Sequence, residues 1–166
     1  ASVWMAPLIG GWLADRWLGS QRCVLLGGWA MFLGLALLAV GSRLLWVDSS
    51  GASDPALARI LVFGGLGIVA GGIGLLKGNI TVMLSDLYSP RDPRRDEAFS
   101  LYYVAINFGV VLSALIAGSL GERLGWTFGF GACAVVLFGG MLTFTWRSRS
   151  LATSAARTET ATPPAP

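Results

Sequence analysis

The chain has 166 residues, 54% hydrophobic and 13% charged, with a net charge of +3 and a mean hydropathy of +0.67. One soluble core cannot hide that much apolar surface, so the composition excludes a water-soluble globular domain and points to an all-α, polytopic membrane helix bundle. The basic balance does not indicate a nucleic-acid partner, because the arginines sit in short clusters between apolar runs. There is no histidine, and the two cysteines, Cys23 and Cys133, lie far apart inside apolar segments, so neither a metal site nor a disulfide framework is expected.

The chain opens inside an apolar run, ASVWMAPLIGGWLA, with no initiator methionine and no removable signal peptide, and it reads as a fragment. Residues 1–13 are too few to cross about 30 Å of hydrocarbon at about 1.5 Å per residue, so they read as the second half of a spanning helix. A tight polar loop follows, GGWLADRWLGSQR, with Gly10, Gly11, Asp15, Arg16, Gly19 and Arg22, and leads into a span over residues 23–44. So short a connection makes the two helices antiparallel neighbours. Its glycines permit a close turn, and an Asp with two Arg at a helix junction can form charge pairs that open and close with a gate. Ordinary cytoplasmic placement of positive charge accounts for the same residues, since surface ion pairs are often energetically small.

Residues 45–59 form a polar connection in which Asp54-Pro55 supplies a helix N-cap with proline at the first helical position. The central stretch over residues 60–88, ILVFGGLGIVAGGIGLLKGNITVMLSDLY, is apolar enough to span except for Lys77. A lysine near the centre of a spanning helix costs roughly 2.5 to 3.5 kcal/mol, so it usually faces a bundle interior or an aqueous cavity. Gly64, Gly67, Gly71, Gly74 and Gly78 recur at steps of three and four and predict a ridge for a close helix contact, with Lys77 and Thr81 on the strip beside it. Snorkelling toward the Asp86 end is the competing account of Lys77, although helical side chains lean the other way, toward the N-terminus.

Asp92-Pro93 repeats the helix-start chemistry before a span over residues 98–120, and LGERLGW turns the chain into a last span over residues 126–146. Gly125, Gly129 and Gly131 suggest close packing there. The remainder, residues 147–166, is rich in Ser, Thr, Ala and Pro and reads as a disordered cytoplasmic linker or tail. Arg16, Arg22, Arg91, Arg94, Arg95, Arg147, Arg149 and Arg157 fall on one side and Arg43, Arg59 and Arg123 on the other, which makes the first side cytoplasmic. An enzyme is not indicated: no carboxylate pair lies within a span and no serine stands beside a base. The glycine pairs at Gly65 and Gly72 lie where a phosphate cradle cannot form.

The loop GGWLADRWLGSQR, through Gly11, Asp15, Arg16, Gly19 and Arg22, resembles the signature between the second and third helices of the major facilitator superfamily. Two further stretches narrow the resemblance to the proton-dependent oligopeptide transporters. DPRRDEAFSLYYVAINFGVVLSALIAG resembles that family's fifth-helix signature, with Tyr102, Tyr103, Ile106, Asn107 and Gly109 in place. GIGLLKGNITVMLSDLY resembles its fourth-helix Lys-Pro-Asn motif, and places Lys77 on the family's peptide-site lysine.

The resemblance implies that residues 1–146 are a partial N-terminal bundle, from the end of helix 2 through helix 6, of a proton-coupled symporter importing di- and tripeptides. A first helix and a C-terminal bundle would then be missing partners, since alternating access needs two bundles around a central site. It implies protons as the coupling ion, no other cofactor, and a location in the inner or plasma membrane with the lipid bilayer as partner. Lys77 would meet a carboxylate and Asn107 would hydrogen-bond the peptide, roles their chemistry suits. Tyr103, one turn from Asn107, would extend the polar strip, or else pack at a helix contact. Gly78 stands where the family has proline, so a kink there is expected to soften. Trp4 stands where relatives carry a substrate-facing tyrosine, and Tyr102 replaces a phenylalanine. Two alternatives stay open: a non-transporting membrane remnant or packing module, and a major facilitator transporter of another substrate.

Overall fold

The computed structural model describes residues 10–12, 14–48, 55–89 and 91–161, and they are helical almost throughout. A π-helical turn, Ala14–Leu18, precedes α1 (Ser20–Asp48) and α2 (Pro55–Asp86). The next span begins as α3 (Arg94–Ser113), passes through a second π turn, Ala114–Gly118, and ends as α4 (Ser119–Leu124). The last helix is α5 (Trp126–Ala161). Four stretches are long and apolar enough to cross a membrane: Ser20–Leu45, Ala56–Asp86, Arg94–Leu124 and Trp126–Ser148. All four expected full spans are present. Trp4 and the rest of residues 1–9, like the Asp54 cap, lie outside the described residues.

Lipid is as apolar as leucine, so helices in a bilayer are brought together by close backbone approach at small residues. The α1–α2 contact is built that way. Gly27, Gly34 and Gly41 stand seven residues apart on α1, and Gly65 and Gly72 seven apart on α2. A Cβ on Gly27 would lie 2.7 Å from the Gly72 carbonyl oxygen, and one on Gly34 would lie 2.8 Å from that of Gly65. Neither position accepts even alanine without movement. The heptad step matches the shallow crossing of two helices packed along their length. Of the expected ridge of Gly64, Gly67, Gly71, Gly74 and Gly78, the first three lie on a different face, where a Cβ meets nothing within 4 Å among the described residues, while Gly74 is buried against Gly10. Glycines occupy two faces of α2, and the partner's heptad selects one of them.

α5 crosses the other side of α1 through aromatic and sulfur contacts. Trp29 and Phe32 meet the Phe138 ring at centroid distances of 5.8 and 5.2 Å, and the Met141 thioether lies over Gly28. The α4–α5 reversal takes a single residue, Gly125, at φ 104°. Only glycine holds that conformation without strain. Gly129 packs as expected, since its Cβ would lie 2.8 Å from the Ala117 carbonyl oxygen in the π turn, whereas a Cβ on Gly131 meets nothing within 4 Å among the described residues.

Two expectations are corrected. The polar loop after residue 13 is wound: the Gly19 N–H donates to the Ala14 carbonyl at 2.8 Å, closing a π turn, and Gly19 at φ 75° is the break. Residues 147–161, read as disordered tail, continue α5 as helix through Ala161. That stretch holds no glycine or proline before Pro163 and several alanines, so nothing in it stops a helix already started by the span.

Candidate functional site

Of the site residues expected from sequence, Lys77 lies on α2, Tyr103 and Asn107 lie on α3, and Gly11, Asp15, Arg16, Gly19 and Arg22 lie before and at the start of α1. At about 100° per residue, positions seven apart share a face, and Ala58, Gly65, Gly72 and Asn79 form the buried face of α2. Lys77, two residues before Asn79, lies about 200° round the helix and is exposed. Thr81 follows it by one turn, and its hydroxyl donates to the Gly78 carbonyl at 2.7 Å. The helix runs unbroken through Gly78, as the loss of proline there predicts.

Asn79, which stands at the asparagine of the Lys-Pro-Asn resemblance, is 2% exposed. Its amide nitrogen donates to the Leu75 carbonyl at 2.8 Å and to the Gly10 carbonyl at 3.2 Å. The second bond joins α2 to the short helical piece at residues 10–12 that leads into the glycine and arginine motif. Gly10 itself lies so close to Gly74 that a Cβ would overlap the Gly74 carbonyl. The signal for its burial is its register, the next heptad position after Gly65 and Gly72.

Within the motif, a would-be Cβ on Gly11 meets nothing within 4 Å among the described residues, and Gly19 supplies the positive φ. Arg16 is exposed, with its guanidinium 5.8 Å from the centroid of the Trp12 ring, a cation–π distance. Arg22 is exposed in the first turn of α1, and Asp15 lies in the π turn. At the same end, Arg95 donates to the Ser85 hydroxyl at 2.5 Å, tying the start of α3 to the end of α2.

On α3, Asn107 and Tyr103 share a face as expected, and the Asn107 amide donates to the Tyr103 carbonyl at 2.8 Å. Both side chains are exposed, and α3 has no buried residue. Lys77 and Asn107 thus stand on separate, sparsely touching helices and are not gathered into one closed pocket. A cavity of about 460 Å³ lies elsewhere, lined by Ser42, Leu45, Gly121, Glu122, Arg123, Gly125 and Trp126, and holds none of the expected site residues.

Before α3, the Arg94 guanidinium donates to both carboxylate oxygens of Asp92, at 3.2 and 3.1 Å, and the Arg94 backbone N–H donates to one of them at 3.0 Å. These bonds hold the Asp92 carboxyl below the usual carboxylate range. Pro93 already has helical dihedrals, so Asp92 caps and Pro93 opens the helix, as read from the sequence.

The POT family profile matches residues 22–159. The chain belongs to the POT family. It is 38% identical over 143 residues to a peptide transporter, YePEPT, of Yersinia enterocolitica subsp. palearctica, covering 86% of this chain and 25% of that protein. It is 34% identical over 149 residues to a di-/tripeptide transporter of Lactococcus lactis subsp. cremoris, covering 90% of this chain and 27% of the relative. A crystal structure of a peptide transporter POT mutant in complex with alafosfalin superposes with a TM-score of 0.75 at 34% identity, covering 89% of this chain and 27% of that one. The chain spans about a quarter of the length of these relatives. With its four spans, this POT segment is a multi-pass membrane bundle.

Proposed function

We propose that this chain supplies one wall of the central substrate cavity of a proton-coupled importer of di- and tripeptides. The observation that carries the proposal is Lys77, an intramembrane cation on the face of α2 opposite its glycine-packed face. A charge in a span is retained where a ligand or coupling group needs it. In this role Lys77 meets the peptide carboxylate or a coupling carboxylate. Asn107 and Tyr103 on α3 present hydrogen-bonding groups to the peptide, and Trp4 offers an indole N–H where relatives carry a tyrosine. The motif of Gly11, Asp15, Arg16, Gly19 and Arg22 forms part of the cytoplasmic gate. In this reading the segment contributes to transport as part of a larger protein, and its residues bind and gate rather than make or break bonds.

Lys77→Ala in the full-length protein tests the reading. The variant is expected to insert and fold, because a costly intramembrane charge is removed, while proton-driven dipeptide uptake in proteoliposomes falls to background because a carboxylate is left without its cation. Uptake at the wild-type rate would instead make Lys77 a snorkelling residue.

A further inference from the structure

Ala58, Gly65, Gly72 and Asn79 occupy one heptad line on α2, and all four are buried. At Gly65 and Gly72 the line meets the α1 backbone, where only the smallest residue fits. At the fourth position the chemistry changes to a carboxamide. A buried amide is costly in an apolar setting unless it is hydrogen-bonded, so its partners show what the position holds together. One is its own helix at Leu75, and the other is the main-chain carbonyl of Gly10, 69 positions away. A backbone acceptor cannot rotate out of reach. Beside it, the Gly10–Gly74 approach leaves no room for a Cβ. The segment entering the motif of Gly11, Asp15, Arg16, Gly19 and Arg22 is therefore fixed to α2 by a side-chain amide hydrogen bond and a backbone contact, within one turn of Lys77.

We propose that Asn79 is a positioning residue for transport, holding the motif segment to the helix that carries Lys77 so that gate and cation move as one body. The proposal rests on the transport reading above. Its consequence is kinetic: without the amide, substrate still finds Lys77, but reorientation of the gate is no longer tied to α2.

The test uses the full-length protein in proteoliposomes, with uptake normalised to folded protein. Asn79→Leu keeps the branched shape and the number of heavy atoms and removes the donor. Vmax for proton-driven dipeptide uptake is expected to fall by about threefold to fifteenfold, the span of interhelical hydrogen bonds in membranes, with KM changed by less than about twofold. Asn79→Gln, which retains an amide donor, should recover part of Vmax. Gly34→Ala serves as the comparison, since it disturbs the α1–α2 contact far from the motif and should lower thermal stability while leaving Vmax per folded molecule unchanged. Should Asn79→Leu fail to fold, Asn79→Ala carries the same Vmax and KM comparison. An unchanged Vmax per folded molecule in the Asn79 variants, or an equal fall in Gly34→Ala, would overturn the positioning role while leaving transport intact. No uptake by the wild-type protein would overturn the transport reading and this role with it.

Discussion

α1 and the α3–α4 span are both apolar enough to cross a bilayer, yet 33% of the most apolar window of α1 is buried and only 6% of that of the other span. Apolar character therefore does not decide which helices pack. α1 places Gly27, Gly34 and Gly41 at heptad spacing opposite Gly65 and Gly72, and the backbones meet. α3 has Gly109 and the π turn has Gly118, nine residues apart, and neither would-be Cβ meets anything within 4 Å among the described residues. In a solvent as apolar as the side chains, a matched line of small residues specifies the contact and large apolar residues only permit it. Leu101, Val104, Phe108, Val111 and Leu115 are accordingly exposed along α3 and its π turn.

The sharpest way to break this comparison is to place the same side chain on the two glycine faces. Gly34→Leu in this chain forces a branched side chain toward the Gly65 carbonyl and should cost about 3 kcal/mol, the upper range for overpacking. Gly71→Leu, on the open face of α2, should stay within about 0.5 kcal/mol of the parent. Thermal unfolding in detergent measures both. Equal losses would show that heptad matching does not select the face on which the two helices pair.

A smaller effect is expected on α3, where Asn107 already donates to the Tyr103 carbonyl and contributes little to packing. On the proposed transport function, Asn107→Ala in the full-length protein should weaken short-peptide binding by roughly five- to a hundred-fold, since an amide paired with the peptide is worth about 1 to 3 kcal/mol. Thermal stability should change little. A stability loss with unchanged affinity per folded molecule would place Asn107 in helix packing and make α3 resemble α1 after all.

Much of the architecture is legible in the sequence because spans and helix starts are local. The apolar runs mark four helices, and Pro55 and Asp92-Pro93 mark two of their beginnings. The contact face of α2 is not legible from α2 alone: Gly64, Gly67 and Gly71 make as good a ridge as Gly65 and Gly72, and only the α1 heptad distinguishes them. Lys77 stands out because a charge interrupts an apolar run. Asn79 has the Lys-Pro-Asn resemblance but no such contrast of charge, and its Gly10 partner lies 69 positions off, so its structural role is not legible. The helical continuation to Ala161 was hidden by composition, since Ser- and Thr-rich sequence reads as disorder when no preceding helix is taken into account.

The smallest expected effect lies at the start of α3, where local chemistry substitutes for packing. Asp92 receives the Arg94 backbone N–H and both guanidinium bonds, while its own carbonyl accepts from the Arg95 N–H at 3.1 Å. These bonds order the first turn of a helix that has no buried residue to anchor it. Because they lower the Asp92 pKa in the folded state, their contribution is present above the unfolded carboxyl value of about 3.9 and is lost as pH falls through the lower folded value. Asp92→Ala should speed amide exchange at Arg94 and Arg95 at neutral pH, with no change in exchange along α1 or α2. In the parent chain the same amides should lose protection only below about pH 4, a shift the alanine variant should lack. Protection that is independent of both the substitution and pH would mean that the start of α3 is held by tertiary contacts, and the contrast with α1 would then not extend to this end of the helix.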